Sequence, residues 1–277
     1  MKDGQVLNSS VLTAGEQIAL RERFQEDGYV KIDQAFSGKL LLQIQQEVDQ
    51  MIDRSLKSGR RLEAHWGGSW REEVDVEGDK QDISVLSIHR VHEHSACLAQ
   101  LLFHPNLVDP AAAVIGSQNV QLHHTLMHSK PPKIGAAFPM HQDYDYFPHK
   151  LDTMIAATLY LDDADTENGC LCVYPGSHRE GYIEQHVHQG SHHLPMDQYP
   201  IESATPVPMK AGDLLIFSYL TIHGSTPNTS DTWRRMLLFE FRSPLDSRKS
   251  DPEGSVGQGL IVRGVHPNPA PKEGESY

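Results

Sequence analysis

Apolar residues recur at helical spacing in the first part of the chain. The run from Thr13 to Glu16 has the form of a capping box, which predicts the start of a helix, and Gly28 ends it. From Leu40 to Leu56 apolar residues return every three or four positions, which predicts a second, amphipathic helix. The same spacing predicts further helical structure over Leu98–Val108 and Pro110–Ile115.

From Asn119 onward the pattern becomes one of short segments with alternating or continuous apolar residues. Turn-rich connections separate them, which is typical of an all-β barrel or sandwich. The predicted strands are Val120–Met127, Met154–Leu161, Gly169–Tyr174, Asp213–Tyr219 and Arg235–Phe241. We expect a single domain over 1–277, with a mainly helical flank at 1–118, a β core at 119–243 and a loop-like tail at 244–277. Residues 60–83 read as an irregular loop, in which Trp66 and Trp70 are candidates for a lid.

Composition narrows the class of protein. The net charge of −13 disfavours a nucleic acid or an anionic membrane as partner. No apolar run approaches the roughly 18 residues that span a bilayer, and the first residues lack the apolar core of a signal peptide. The chain has three cysteines, Cys97, Cys170 and Cys172, and this small, odd number argues against a disulfide framework. We therefore expect a cytoplasmic protein, with Cys170 and Cys172 as small buried residues.

His141 and Asp143 are a candidate pair of metal ligands. Side chains two positions apart in a strand share a face, so both can approach one ion. With 17 His and 37 Asp+Glu in 277 residues, chance gives about two His-x-acid triplets, and a second one begins at His178. The pair needs a third ligand to resemble the 2-His-1-carboxylate triad of non-haem iron oxygenases.

His223 is the candidate third ligand, and an arginine follows it. His223 ends an apolar segment, and Arg234 stands eleven residues later at the start of the next predicted strand. The guanidinium fork suits a bidentate pairing with the distal carboxylate of 2-oxoglutarate. Alternation puts Arg234 and Arg235 on opposite faces of that strand, and because both faces are mostly apolar the pattern does not decide between them.

The chain resembles the phytanoyl-CoA dioxygenase family of Fe(II)/2-oxoglutarate oxygenases over roughly residues 119–243. The segments that carry the resemblance are Leu126–Pro132, His141–Pro148, Asn168–His178, His223–Ser225 and Arg234. The resemblance implies a mainly β fold, a double-stranded β-helix or jelly roll with N-terminal helices. It also implies Fe(II) on His141, Asp143 and His223, and these three as the catalytic residues.

The resemblance further implies the cosubstrate site and the kind of reaction. Arg234, favoured over Arg235 by the family's eleven-residue spacing, would bind 2-oxoglutarate, and Thr158, Leu126 and Ser225 would line its pocket. His178 would belong to a structural turn. Because related halogenases carry a small residue at the position of Asp143, its carboxylate implies hydroxylation or another oxidation, with O2 consumed and succinate formed.

We therefore expect a 2-oxoglutarate-dependent dioxygenase that acts on a small organic substrate, with an unspecified oligomeric state. One alternative is an acyl-CoA 2-hydroxylase, although Lys130, Lys133 and Lys150 are only scattered candidates for CoA phosphates. Another is a cupin-type metalloprotein that does not use 2-oxoglutarate, which would have no need for Arg234.

The sequence leaves more than one role open for several other histidines and their neighbours. His186, His188, His192 and His193 lie in the segment 185–195, which we expect to shape the substrate pocket rather than to form a second metal site. His89 and Arg90 belong to a polar strand edge or contact a ligand. His123 and His124 should face opposite sides of a strand, so that one points inward. Tyr146 contacts substrate or packs.

Overall fold

The computed structural model of the protein describes residues 5–6, 12–58, 86–188, 191–250 and 259–268. The predicted loop at 60–83, with Trp66 and Trp70, lies outside these residues. The helices are α1 (Ala14–Asp27), α2 (Gly38–Lys57), α3 (Val91–His94), α4 (Ala96–Leu101) and α5 (Pro105–Ile115). Short 3-10 turns follow at Asp143–Tyr146, Ser177–Glu180 and Ile201–Ser203. Among the helices that the structure describes, none combines the length and the apolar character of a membrane span.

The strands form two sheets that face each other and a separate hairpin. In chain order they are β1 (Gln5–Val6), β2 (Tyr29–Asp33), β3 (Leu86–His89), β4 (Val120–Lys130), β5 (Phe138–His141), β6 (Ile155–Tyr160), β7 (Leu171–Val173), β8 (His186–His188), β9 (Ser191–His193), β10 (Thr205–Val207), β11 (Leu214–Ser218), β12 (His223–Ser225), β13 (Arg234–Arg242) and β14 (Ile261–Arg263). The major sheet has the order β1-β2-β11-β6-β13-β4-β14, with β3 also paired to β4. The minor sheet has the order β10-β7-β12-β5, and β8 pairs with β9. This jelly-roll-like architecture confirms the predicted fold class.

The two faces of the major sheet bury different sets of side chains. On β13, Leu237 and Phe239 belong to the core that the sheet shares with the helices, while Met236 and Leu238 belong to the core between the two sheets. Both faces of the strand are therefore apolar and buried, as expected for a strand covered on each side. The helices close the outer face of the major sheet, and the minor sheet closes the inner one.

The helix that precedes this sheet begins and ends as its sequence predicts. Thr13 caps α1 in a capping box with Glu16. Gly28 follows α1 with a φ of 78°, a left-handed conformation that glycine adopts at little cost. A Cβ at Gly28 would stand 2.4 Å from Nδ1 of His178, so α1 also packs closely against the turn that contains His178.

The structure differs from the sequence prediction in several places. The helical stretch predicted over Leu98–Val108 is broken after Leu101 and restarts at Pro105, because proline suits a first helical position and His104 caps the new helix. The tail beyond residue 244 is not loop throughout, because β14 adds a strand to β4. The shortest strands lacked a recognisable alternation in the sequence.

Candidate active site

Two histidines from neighbouring strands and one aspartate form a compact cluster. β5 ends at His141 and β12 begins at His223, and these two residues are paired in the antiparallel register. Oδ1 of Asp143 lies 3.5 Å from Nε2 of His141 and 3.7 Å from Nε2 of His223. One ligand atom from each of the three residues lies within 4.8 Å of the others. A single metal ion between them can contact all three.

The backbone around Gln142 sets the relative position of the first two ligands. Gln142 is extended, with φ −113° and ψ 143°, and Asp143 then begins a 3-10 turn. The predicted strand therefore does not continue to Asp143. Only the extended backbone of Gln142 brings the side chains of His141 and Asp143 to the same side. The amide of Asp143 donates to the carbonyl of Tyr219 at 2.9 Å, which ties the turn to the segment before β12.

Gly224 allows the strands that carry the two histidines to approach closely. A Cβ at this position would stand 2.7 Å from the carbonyl oxygen of Phe138 and 2.7 Å from Sδ of Met140. Because backbone atoms cannot move aside cheaply, the contact between β5 and β12 requires glycine here.

Backbone carbonyls orient both imidazole rings. Nδ1 of His141 lies 2.8 Å from the carbonyl oxygen of Pro139, and Nδ1 of His223 lies 2.9 Å from that of Thr221. With Nδ1–H donated to a carbonyl, each Nε2 keeps its lone pair for a metal. Burial, followed by the neighbouring His141, lowers the pKa of His223 to about 4, so its ring is neutral at pH 7. Burial opposes ionisation of Asp143, but His223 and His141 outweigh it and lower its pKa.

A pair of glutamines fixes the loop that carries Asp143. The amide of Gln142 donates to Oε1 of Gln185, and Nε2 of Gln185 donates to the carbonyl of Gln142, both at 2.9 Å. Nε2 of Gln185 also donates to Oδ2 of Asp145 at 2.8 Å. The side chain of Gln142 reaches the carbonyls of Gly181 and Leu220.

Arg234 is a fully buried cation on the inward face of β13. Burial lowers its pKa, and no salt bridge joins it to any residue that the structure describes. Its Nε and Nη2 atoms are buried and have no hydrogen-bond partner among the described residues. Its Nη1 touches Sδ of Met236, which lines the cavity described below. A carboxylate is the natural partner for such a fork.

Arg235 is already engaged on the opposite face of β13. Its Nε and Nη2 donate to the two carboxylate oxygens of Asp162 at 2.9 and 2.8 Å, and its Nη1 pairs with Asp49. The two neighbouring arginines thus differ: acidic side chains pair with Arg235, whereas no described acidic side chain pairs with Arg234.

Lys130 lies beside Arg234 in the register of the major sheet. It is fully buried, and its Nζ donates to Oγ of Ser225 at 2.7 Å and to the carbonyl of Thr226. Burial, followed by the charge of Arg234, lowers the pKa of Lys130 well below its ordinary value. Two basic side chains in one buried region favour an anionic group nearby. Of the three scattered candidates for CoA phosphates, Lys130 lies inside the protein, whereas Lys133 and Lys150 are exposed.

Thr158, Leu126 and Ser225 line one cavity of about 570 Å³ together with the three metal-ligand candidates. Oγ1 of Thr158 is buried and has no hydrogen-bond partner in the part of the chain that the structure describes. Thr158, Leu126 and Leu238 are neighbours in the sheet register. His89 and Arg90 also line this cavity. A volume of this size suits a small-molecule site.

The prediction that His123 and His124 face opposite sides was wrong, because both line the cavity. The register of β4 against β13 shifts between Glu240 and Phe241, so that Glu240 pairs with His124 and Phe241 with Leu122. His123 is the extra residue of this bulge, and a bulge redirects the side chain that it adds.

The histidine-rich segment forms the β8–β9 hairpin beside the site. The amide of His192 donates to the hydroxyl of Tyr146 at 3.2 Å, and Nδ1 of His192 lies 3.4 Å from Asp145. Tyr146 lines the cavity, so the hairpin supports one of its walls. Among the described residues, His141, Asp143 and His223 are the one cluster with metal-site spacing.

Sequence reasoning missed Glu240, which is buried and lines the cavity. A signal was present, since Glu240 is a single acid within the apolar run Met236–Phe241. The second His-x-acid triplet, which begins at His178, lies outside this site. Nε2 of His178 lies 3.2 Å from the carbonyl oxygen of Gln25 near the end of α1.

The fold and the His-Asp-His cluster define a jelly-roll protein of the non-haem iron oxygenase class. The chain belongs to the phytanoyl-CoA dioxygenase (PhyH) family, whose model matches residues 24–236. This confirms the resemblance that the sequence indicated, and with it an iron- and 2-oxoglutarate-dependent oxygenase.

Similar proteins differ in what they act on. A probable alpha-ketoglutarate-dependent hypophosphite dioxygenase of Stutzerimonas stutzeri is 26% identical over 231 residues, 80% of this chain and 77% of that protein. An ectoine dioxygenase of Bordetella bronchiseptica is 26% identical over 268 residues, 88% of this chain and 80% of that protein. The structure of SnoK, a non-haem alpha-ketoglutarate-dependent carbocyclase from nogalamycin biosynthesis, has a TM-score of 0.68 at 22% identity, covering 87% of this chain and 92% of SnoK. That likeness concerns the fold alone.

Proposed function

We propose that this protein hydroxylates or otherwise oxidises a small organic molecule, with 2-oxoglutarate as cosubstrate and His141, Asp143 and His223 as the ligands of Fe(II). When bound, iron and 2-oxoglutarate supply the oxidant, consuming O2 and releasing succinate and CO2. The observation that carries the proposal is a buried arginine, unpaired among the described residues, whose Nη1 touches Met236 in the wall of the cavity that the metal-ligand candidates line. A metal site without 2-oxoglutarate has no need for such a cation.

The residues of this chain have separate tasks in the proposed reaction. The two Nε2 atoms and the carboxylate of Asp143 would hold the ion and would leave its remaining positions to cosubstrate and oxygen. The carboxylate of Asp143 would also take the position that halide has in related halogenases, which carry a small residue there, so oxygen insertion or another oxidation is favoured over halogenation.

Arg234 anchors the cosubstrate by the distal carboxylate. Ser225, held by Lys130, and the free hydroxyl of Thr158 offer further hydrogen bonds, while Leu126 supplies an apolar wall. Apolar side chains such as Phe217 and Leu238 restrict water around this region of the cavity. The protein therefore orients the reactants and keeps the site dry, while the metal and cosubstrate carry out the oxidation.

The alternative of an acyl-CoA substrate has no specific support in the described residues, because the buried Lys130 is unavailable to phosphates. We propose a cytoplasmic enzyme, in keeping with three cysteines that are all free.

A variant pair tests the proposal. His141→Ala should abolish iron binding and the slow turnover of 2-oxoglutarate that occurs without substrate, while His178→Ala, from the other His-x-acid triplet, should retain both. A metabolite library with Fe(II), 2-oxoglutarate and O2 should then identify substrates through succinate formation. Turnover by His141→Ala, or substrate oxidation that does not need 2-oxoglutarate, would contradict the assignment.

A further inference from the structure

Glu240 is a buried acid to which the proposed reaction gives no task. It is 7% exposed and lines the cavity. In the major sheet it stands between His124 on β4 and Ala156 on β6. No hydrogen bond or ion pair joins its carboxyl group to any other residue in the described ranges. A buried carboxyl group without a partner is costly in a folded protein, which points to a ligand.

No cationic side chain among the described residues forms an ion pair with Glu240. Burial, followed by the charge of Asp143, raises the pKa of Glu240 well above its ordinary value. Burial is also the main cause that lowers the pKa of His123 to about 2 and of His124 to about 4, so both rings are neutral at pH 7. Arg90 lines the same cavity, but its ion pair is with Glu93 at 3.8 Å.

Aromatic rings share this region with Glu240. Phe147 and Tyr146 line the cavity, and the ring of Phe147 is 4.8 Å from that of His123, the bulged residue next to His124. Aromatic faces attract organic cations, and a carboxylate among them adds an ion pair with charge-assisted hydrogen bonds. Neutral or anionic ligands would gain nothing comparable from Glu240.

We propose that Glu240 binds a cationic nitrogen of the substrate, a protonated amine or an amidinium group. This inference rests on the proposed function, because it places the substrate between Glu240 and the metal ligands. Glu240 and Arg234 stand six residues apart on β13, about 20 Å at the usual rise per residue. The anionic cosubstrate is therefore drawn to one end of the strand and the cationic part of the substrate to the other.

Matched small probes test this charge preference without knowledge of the true substrate. Cyclohexylammonium, cyclohexanol and cyclohexanecarboxylate share one shape and differ in charge. Their dissociation constants are measured by ligand-observed NMR on Zn2+-loaded protein with 2-oxoglutarate present. The proteins are the wild type, Glu240→Gln, Glu240→Asp and Glu202→Gln, the last being an exposed acid that serves as matched control. Thermal melts show that each variant is folded.

The wild type should bind the ammonium probe about tenfold more tightly than the alcohol, as expected for one charge-assisted contact. Glu240→Gln should lose this preference, Glu240→Asp should keep part of it, and Glu202→Gln should keep all of it. An ammonium probe that binds the wild type no better than the alcohol, or a preference unchanged in Glu240→Gln, overturns the inference. Binding of 2-oxoglutarate to the same Zn2+-loaded protein, measured by calorimetry, separately reports on the proposed function.

Discussion

Arg234 and Glu240 lie on the same inward face of β13, with Met236 and Leu238 between them. Met236, Leu238 and Glu240 line the cavity, and Arg234 touches Met236. Two buried ionisable groups, one basic and one acidic, thus stand at the two ends of one strand, and neither is paired by a described side chain. The strand holds them apart, so that each remains available to a ligand instead of forming an internal ion pair.

Replacing Arg234 should weaken cosubstrate binding far more than it affects folding. Arg234→Gln removes the fork proposed to bind the distal carboxylate, and loss of one partner from a buried charge pair costs about 2–5 kcal/mol. The dissociation constant of 2-oxoglutarate, measured by calorimetry on Zn2+-loaded protein, should rise at least about 30-fold. Arg235→Gln is the control, because it breaks the pairs with Asp162 and Asp49 and should lower the melting temperature instead. Equal effects on affinity in both variants would contradict this division.

Thr158→Val should separate binding from stability. Oγ1 of Thr158 is buried and makes no hydrogen bond to any described residue, so burying this hydroxyl costs free energy in the ligand-free protein. The isosteric valine should leave the free energy of unfolding unchanged or raise it by about 1 kcal/mol. If the hydroxyl contacts the cosubstrate, the affinity for 2-oxoglutarate should fall severalfold in the same protein. A variant that is less stable yet binds normally would count against the proposed contact.

Gln185→Ala should loosen the loop that carries Asp143. The change removes the two hydrogen bonds to the backbone of Gln142 and one to Asp145, and outer partners of this kind typically affect metal affinity by about 10–100-fold. A chelator competition assay with Zn2+ or Fe(II) should show this loss. Gln198→Ala, at an exposed position, should leave metal affinity as it is. Unchanged affinity in Gln185→Ala would show that the ligands hold their geometry without this clamp.

His123 should make the protein sensitive to mild acid. Burial, followed by the charge of His149, lowers the pKa of His123 to about 2, whereas in the unfolded chain it is near 6.5. Below that unfolded value the unfolded chain binds a proton that the folded protein excludes. The free energy of unfolding therefore falls with decreasing pH, by about 1.4 kcal/mol per pH unit from this residue.

His123→Phe keeps an aromatic ring beside Phe147 but cannot titrate. Urea unfolding of both proteins at pH 7.5 and pH 5.5 should show a loss of stability about 1.4 kcal/mol smaller in the variant. Parallel losses in the two proteins would mean that His123 is protonated in the folded state.

The chemistry of the site follows from sequence spacing. His141, Asp143 and His223 were candidates because their residue types suit iron, and the structure brings them together since β5 and β12 pair at these two histidines. Local patterns also predicted α1, α2 and the long strands, because capping and periodic burial depend on neighbouring residues.

The choice between neighbouring residues depended on tertiary structure. Arg234 and Arg235 cannot be separated by alternation, since both faces of β13 are apolar, and only the packing of helices on one face and the minor sheet on the other distinguishes them. Likewise, the bulge opposite Glu240 turns both His123 and His124 inward. The sequence of β4 alone does not show this bulge, because it depends on how β4 pairs with a strand that is distant in the chain. The sequence alone determined the fold class and the metal chemistry. The tertiary structure decided which buried charges remain unpaired, and so where ligands are recognised.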